Sequence, residues 1–352
     1  MDELQKLICS LVEIESVNPD LVPGGSGEGA IAAFVAAWLR DAGLEVTIVE
    51  PVAGRPSVVG VLHGSGGGRS LMLNAHMDTV GIGGNADGLS PRVEGGRVYG
   101  RGAYDMKASL AAIMLTARRA AGLRGDLLVC AVADEEVASL GTASVLSKFS
   151  ADFGLVTEPT ELRLCLAHKG FVWLEVETTG VAAHGSRAAI GVDAIAAMGP
   201  VLVRLQDLQN RLRVSPRHPL LGSGSIHASL ISGGHEMSTY PARCTLRIER
   251  RTIPGEDMSG EIPGARVVLE RSPSEVPEEH PLARAVSDAA GSPEVIGVAY
   301  WMDMALMNAA GIPTVCYGPA GEGAHADVEW VDLASVERCI SVYLKAAELL
   351  CS

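Results

Sequence analysis

The feature that most constrains the fold is an alternation of short apolar runs with helical patterns in the first half of the chain. The apolar runs cover 44–50, 57–62, 71–75, 127–133 and 153–157, and helical patterns cover 4–14, 31–39, 105–121 and 139–149. Runs of this length suit strands, and the longer patterns between them suit helices. The alternation therefore predicts an α/β fold with a mainly parallel sheet and flanking helices.

The pattern of apolar and polar residues changes near residue 166. Segment 170–179 alternates like a half-buried strand, a helical pattern covers about 191–212, and strand-like runs follow at 225–232 and 242–250. After a Pro- and Glu-rich segment, 271–281, the alternation of helical patterns and strand-like runs seen in the first half of the chain resumes. These changes predict a discontinuous catalytic domain, 1–166 and 276–352. They also predict an inserted smaller α+β domain, 167–275.

Composition narrows the class of partner. The 352 residues include 42 Asp+Glu and 28 Lys+Arg, a formal net charge of −14. Nucleic acids and anionic membranes need a basic footprint, so we expect neither as a partner. We expect no membrane span and no secretory signal, because no apolar stretch is long enough and the N-terminus is acidic. Seven scattered cysteines without a CxxC pair indicate reduced thiols in a cytoplasmic protein.

Metal-capable side chains follow several apolar runs. They are His76 and Asp78 after 71–75, Glu135 and Glu136 after 127–133, Glu158 after 153–157, and His325 beyond a Gly-rich loop after 312–317. Ligands bind beyond the carboxyl ends of strands in open α/β sheets, so these groups can converge in space. Asp105 lies where a Gly-containing turn leads into a helix. Taken singly, each residue is more typical of a solvated loop, a turn or a helix-start acid than of a metal site.

Their order and spacing are more specific than any one of them. The motifs are AHMDTV (75–80), GRGAYDMKA (100–108), DEE (134–136), TEPT (157–160), GVAAHGSRAAIGVDAI (180–195), ERRTIPGE (249–256), MDMALMNAAGIPTVCYGP (302–319) and AHADVEWV (324–331). In this order, over nearly the whole chain, the set resembles the M20 metallopeptidase family. That family includes acetylornithine deacetylase, succinyl-diaminopimelate desuccinylase, aminoacylase-1 and the glutamate carboxypeptidases.

The resemblance implies a site for two zinc ions, with cobalt or manganese as substitutes because carboxylate and imidazole ligands suit them too. Asp105 would bridge the two ions. His76 and Glu158 would complete one ion site, and Glu136 and His325 the other. Glu135 would be the general base for attack by metal-bound water, and Asp78 the partner of His76.

The resemblance also gives the inserted domain a role as the interface of a homodimer and as a lid. His184 would polarise the scissile carbonyl in the partner subunit's site, and Arg251 would grip a substrate carboxylate. We interpret the neighbouring Arg247 and Arg250 as surface ion pairs. Two departures from relatives, at 238–241 and at Arg250, fall in the substrate-recognition region and leave the substrate open.

The predicted function is hydrolysis of the amide of an N-acyl amino acid, similar to that of acetylornithine deacetylase. Glu158 favours this activity, because family deacylases tend to have Glu there and peptidase relatives Asp. The alternatives are removal of an N-succinyl group and cleavage of short peptides by an M20-type dipeptidase or carboxypeptidase. A binding protein without activity is disfavoured, because every ligand position and the general base are present.

Overall fold

The computed structural model describes residues 2–84, 87–215, 218–256, 258 and 260–352. It divides into two compact units. The first contains the chain up to Leu166 with 276–296 and 302–352, and the second contains 167–275 with 297–301. Segment 297–301, which we predicted in the first domain, lies in the second unit. The amide of Lys169 donates to the Val298 carbonyl there (3.1 Å), and the rings of His168 and Trp301 meet edge to face.

Eight α-helices are described, seven of them in the first unit. They are α1 (Glu3–Glu13), α2 (Gly29–Asp41), α3 (Ala108–Arg119), α4 (Leu140–Leu146), α5 (Ala194–Val214), α6 (Pro281–Ala290), α7 (Met304–Ala309) and α8 (Leu333–Leu350). A π-helical turn, Ala103–Lys107, precedes α3. Side-chain caps begin several helices, since Asp2 accepts from the Gln5 amide (2.8 Å) and Asp332 from the Ser335 amide (2.7 Å).

The strands are β1 (Glu45–Val49), β2 (Ser57–Leu62), β3 (Leu71–His76), β4 (Arg92–Glu94), β5 (Arg97–Tyr99), β6 (Leu127–Val132), β7 (Phe153–Val156), β8 (Leu164–His168), β9 (Gly170–Thr179), β10 (Ser225–Gly233), β11 (Arg243–Thr252), β12 (Arg266–Arg271), β13 (Ser274–Glu275), β14 (Val295–Val298), β15 (Thr314–Cys316), β16 (Gly321–Glu322) and β17 (Trp330–Asp332).

The large sheet of the first unit runs in the order β1-β2-β6-β3-β7-β15-β8. Its four central strands, β6, β3, β7 and β15, are parallel. The flanking pairs β1–β2, β2–β6 and β15–β8 are antiparallel, which the sequence did not predict. Every residue of β3, β6 and β7 is buried, as expected for strands covered on both faces by helices. The α/β fold class is confirmed.

A second sheet in the first unit is small and antiparallel, in the order β16-β17-β5-β4. The sequence did not predict it. The loop between β16 and β17 carries His325, so this residue does not follow directly from a strand of the large sheet. The parallel strand β15 ends at Cys316, and the chain reaches His325 only after adding β16.

The second unit is a four-stranded antiparallel sheet, β10-β11-β9-β12, with helix α5 packed against it. Its core contains Met198, Leu205 and Leu208 of the helix and Leu246 and Ile248 of the sheet. Strands β10 and β12 are the outer strands of this sheet. Among the described residues of the whole chain, no helix is long and apolar enough to cross a membrane.

Candidate metal centre

His76 is the last residue of β3, and its side chain is almost fully buried. Its Nδ1 lies 2.9 Å from the backbone carbonyl oxygen of Asp78, which makes Nε2 the atom available to a ligand or proton. Nε2 lies 3.1 Å from Oδ1 of Asp105 and 3.5 Å from Oε1 of Glu158. The end of one parallel strand thus brings together three groups that are far apart in sequence.

Asp105 faces two histidines through its two carboxylate oxygens. Oδ1 approaches His76, and Oδ2 lies 3.4 Å from Nε2 of His325. The same Nε2 lies 3.1 Å from Oε1 of Glu136. Asp105 is therefore common to two clusters, and each cluster contains one histidine and one further carboxylate.

In each cluster the ligand atoms lie within 4.8 Å of one another. The clusters are His76, Asp105 and Glu158, and Asp105, Glu136 and His325. Imidazole and carboxylate are suitable ligands for zinc, cobalt and manganese. Three carboxylates packed this closely repel one another unless protons or cations compensate. The donor set therefore fits two divalent cations that share Asp105.

The crowding of carboxylates and histidines shifts the pKa values of the cluster residues. Burial raises the pKa of Glu158 to about 8, although His76 opposes the rise. Hydrogen bonds to Asp105 and Glu136 raise the pKa of His325 to about 10. Burial would lower the pKa of His76, but Glu158 and Asp105 hold it well above its ordinary value. The cluster thus has a high affinity for positive charge.

Glu135 lies beside the clusters without belonging to either of them. Burial raises its pKa well above the ordinary value, and the charge of Glu158 adds to this effect. The backbone amides of Glu135 and Glu136 donate to Oδ1 and Oδ2 of Asp78, at 3.1 and 3.3 Å. The Asp78 carboxylate thus anchors the turn that presents both glutamates.

Asp78 lies beside His76, the residue for which it was predicted as a partner. The hydrogen-bonded partner of Nδ1 is the carbonyl oxygen of Asp78, and its carboxylate oxygen Oδ1 lies 3.7 Å from Nδ1. The carboxylate accepts from the amides of Glu135 and Glu136, which follow β6, the strand paired with β3.

Sequence reasoning missed Glu329. Its buried carboxylate accepts from the backbone amides of Gly102, Tyr104 and Asp105 (2.9–3.0 Å) and from Arg101 (2.7 Å). It therefore fixes the π-helical turn that carries Asp105. The sequence signal that could have indicated Glu329 is its position, directly before the strand-like Trp330 and four residues after His325.

His184 and Arg251 lie in the second unit. His184 is exposed, and its Nδ1 lies 2.8 Å from the Ser186 hydroxyl. Arg251 is partly exposed, and its Nε donates to Glu249 (2.8 Å). The guanidinium carbon of Arg251 lies 5.1 Å from the centre of the Phe171 ring.

The segment that departs from relatives lies beside His184. The Gly185 amide donates to the Ser238 carbonyl (2.7 Å), and the Tyr240 amide to the Ala183 carbonyl (2.8 Å). The interpretation of Arg250 as a surface ion pair was wrong. Its side chain is 1% exposed and pairs with Glu256 and Glu261, since its strand position points into the unit. Arg247 does form an exposed pair, with Glu175.

Comparison with known protein families identifies the family of this chain. The model of Peptidase family M20/M25/M40 matches residues 72–349. The chain belongs to this family. Membership confirms the predicted resemblance and identifies an M20 metallohydrolase that acts on amide or peptide bonds.

The sequence relatives include proteins named acetylornithine deacetylase. The protein from Erwinia tasmaniensis is 31% identical over 335 residues, covering 85% of each chain. That from Vibrio vulnificus is 27% identical and covers 97% of each chain.

Solved structures share the M20 fold at lower identity. A tripeptidase from Staphylococcus aureus has a TM-score of 0.80 at 20% identity, covering 99% of this chain and 98% of that one. A dinuclear metal-binding M20 peptidase from Bacillus subtilis has a TM-score of 0.70 at 18% identity, covering 99% and 97%.

Proposed function

We propose that this enzyme hydrolyses the amide bond of an N-acyl amino acid, as a deacetylase resembling acetylornithine deacetylase. The observation that carries the proposal is the position of Asp105. One of its carboxylate oxygens faces the cluster with His76 and Glu158, and the other faces the cluster with Glu136 and His325. Five side chains would hold two divalent cations, with zinc as the first choice: His76, Asp105, Glu136, Glu158 and His325.

Bound cations of this kind lower the pKa of water and withdraw electron density from a carbonyl oxygen. Glu135 accepts the proton of the attacking water and delivers it to the departing nitrogen, so that the water oxygen bonds to the acyl carbon as the carbon–nitrogen bond breaks. The Asp78 carboxylate keeps Glu135 in place by accepting a hydrogen bond from the backbone amide of Glu135. His184 polarises the acyl oxygen in the partner subunit's site, and Arg251 binds the carboxylate of the amino acid.

The choice of a deacetylase is supported by the relatives, since those at 31% identity carry that name. We expect hydrolysis of N-acetyl amino acids, N-acetylornithine among them, in the presence of zinc, cobalt or manganese. Release of free amine from a panel of N-acetyl amino acids, N-succinyl amino acids and dipeptides tests this directly. Activity confined to dipeptides would assign the chain to the peptidases, and activity confined to N-succinyl substrates would make it a desuccinylase.

We further propose a homodimer formed through the second unit, in the cytoplasm. The outer strand β10 exposes Leu230 and Ile231, and the neighbouring helix α5 exposes Val203, each more than half accessible. An exposed edge with large apolar side chains supports a pairing surface. The seven cysteines are scattered along the sequence without a CxxC pair, which supports a reducing compartment.

A shared site predicts complementation between two inactive variants. A Glu135→Ala subunit mixed with a His184→Ala subunit should recover partial activity, because one site of the mixed dimer then has both groups intact. The measurement is the specific activity of a mixed dimer purified with two different affinity tags. An inactive mixed dimer would show that His184 does not serve the partner's site.

The interface can be tested in the same mixture. Ile231→Lys in both subunits should prevent dimer formation and complementation, because it places a charge on the β10 edge. Val267→Lys is the matched control, since Val267 is equally exposed (53% for each residue) but lies on β12, the opposite edge. Light scattering coupled to gel filtration reports the mass of each variant.

A further inference from the structure

A buried charged network lies at the ends of strands β2, β3 and β6, and the proposed chemistry does not use it. Its centre is Arg55, whose side chain is 7% exposed. Nε and Nη2 donate to the two oxygens of Glu28 (2.7 and 2.9 Å), Nη2 also donates to Asp134 (2.7 Å), and Nη1 donates to Asp20 (2.6 Å). The side chains of Glu28 and Asp134 have no exposed surface.

Strand register explains why these groups meet. In the antiparallel pair β2–β6, Val58 lies opposite Ala131. Continuing the register three residues beyond that pair places Arg55 across from Asp134. In the parallel pair β3–β6, His76 lies opposite Val132, so continuing that register by two residues places Asp78 beside Asp134.

Asp134 is the point through which the network reaches the candidate metal centre. Its φ is 67°, a left-handed conformation that is uncommon for a residue with a side chain. Its Oδ1 accepts from Arg55 and from Nδ2 of Asn18 (3.0 Å), and its Oδ2 accepts from the Leu140 amide (3.4 Å). The next two residues of the chain are Glu135 and Glu136.

Asn18 joins this network to the other anchor of the same turn. Its Nδ2 also donates to Oδ2 of Asp78 (2.8 Å), the carboxylate that accepts from the amides of Glu135 and Glu136. The turn is therefore held at its first residue by Arg55 and Asn18 and at the next two by Asp78. His76 ends β3 and Glu158 follows β7, so neither residue belongs to this turn.

We propose that Arg55 is a positioning residue for one of the two cation sites. Through Asp134 and Asn18, Arg55 fixes the turn that presents Glu136. Loss of Arg55 therefore weakens the binding of the cation held by Glu136 and His325. The cation held by His76 and Glu158 is retained. This inference rests on the proposed two-cation function.

Arg55→Lys tests the role with a modest change. Lysine keeps the positive charge, but one ammonium cannot replace a planar fork that contacts three carboxylates. Loss of an outer partner of a metal ligand typically lowers metal affinity by about 10–100-fold. We expect chelator-treated wild type to bind two equivalents of Co²⁺ by calorimetry. The Arg55→Lys protein should bind one equivalent with unchanged affinity and the other about 10–100-fold more weakly.

Two further variants complete the test. Arg119→Lys makes the same change at the ion pair with Glu337 on the surface of the first unit, and should leave both affinities unchanged. Asn18→Ala removes the amide that joins Asp78 to Asp134, and should reproduce the selective loss even if Arg55→Lys fails to fold.

Unchanged affinities in Arg55→Lys and Asn18→Ala, or an equal loss at both sites, would overturn the role of Arg55. Fewer than two equivalents in wild type would instead overturn the proposed metal centre.

Discussion

Glu135→Gln is expected to lower kcat by about 10²–10⁴-fold, the usual contribution of a positioned general base. Glutamine keeps the shape of the side chain but cannot accept the proton of water. Glu135 belongs to neither ligand cluster, so the variant should still bind two cations. The measurements are steady-state kinetics with the preferred N-acyl substrate and cation stoichiometry by elemental analysis.

The neighbouring residue provides a matched control. Glu136→Gln makes the same chemical change one position along the chain, but there it removes a proposed ligand. We expect this variant to bind one cation weakly and to regain part of its activity at high cation concentration, whereas excess cation leaves Glu135→Gln inactive. A Glu135→Gln protein with kcat near that of wild type would exclude the general-base role.

Asp105→Asn is expected to abolish tight binding of both cations, because its carboxylate is common to both clusters. It should also abolish the stabilisation that cations provide. A cation at 100 times its dissociation constant stabilises the folded state by about 2.7 kcal/mol per site. For two sites, the melting temperature of chelated wild type should rise by roughly 10 °C when zinc is added.

Single-cluster variants complete that experiment. Glu158→Gln should lose only the cation of the His76 cluster and keep about half of the rise in melting temperature. Asp105→Asn should show almost none of it by differential scanning calorimetry. A rise in Asp105→Asn equal to that of wild type would mean that the cations bind elsewhere on the chain.

Much of the candidate site could be predicted because its chemistry is written into local sequence. Strands β3, β6 and β7 are largely apolar and fully buried. β3 ends at His76, and carboxylates follow β6 and β7 within two residues. The carboxyl ends of parallel strands meet at one edge of a sheet, so convergence of these groups follows from elementary topology. Strand β9 was predicted with the bounds that the structure has, 170–179, because its residues alternate like those of a half-buried strand.

The parts that could not be predicted depend on pairing between distant segments. The short strands β4, β5, β16 and β17 contain two or three residues each, too few for a periodic signal. The hydrogen bonds by which Glu329 holds the turn of Asp105 join residues more than 220 positions apart. Nothing in the local sequence near Arg55 indicates that it lies across from Asp134.

The sequence by itself determined the α/β class, the family and the set of side chains able to hold cations, since residue type, order and strand pattern encode them. Only the tertiary structure decided which atoms face one another. Register places Asp134 beside Arg55, turns the Asp78 carboxylate toward the amides of Glu135 and Glu136, and directs the two oxygens of Asp105 to different histidines. Hydrogen bonding and close packing act between atoms a few ångströms apart, and chain order alone does not specify those distances.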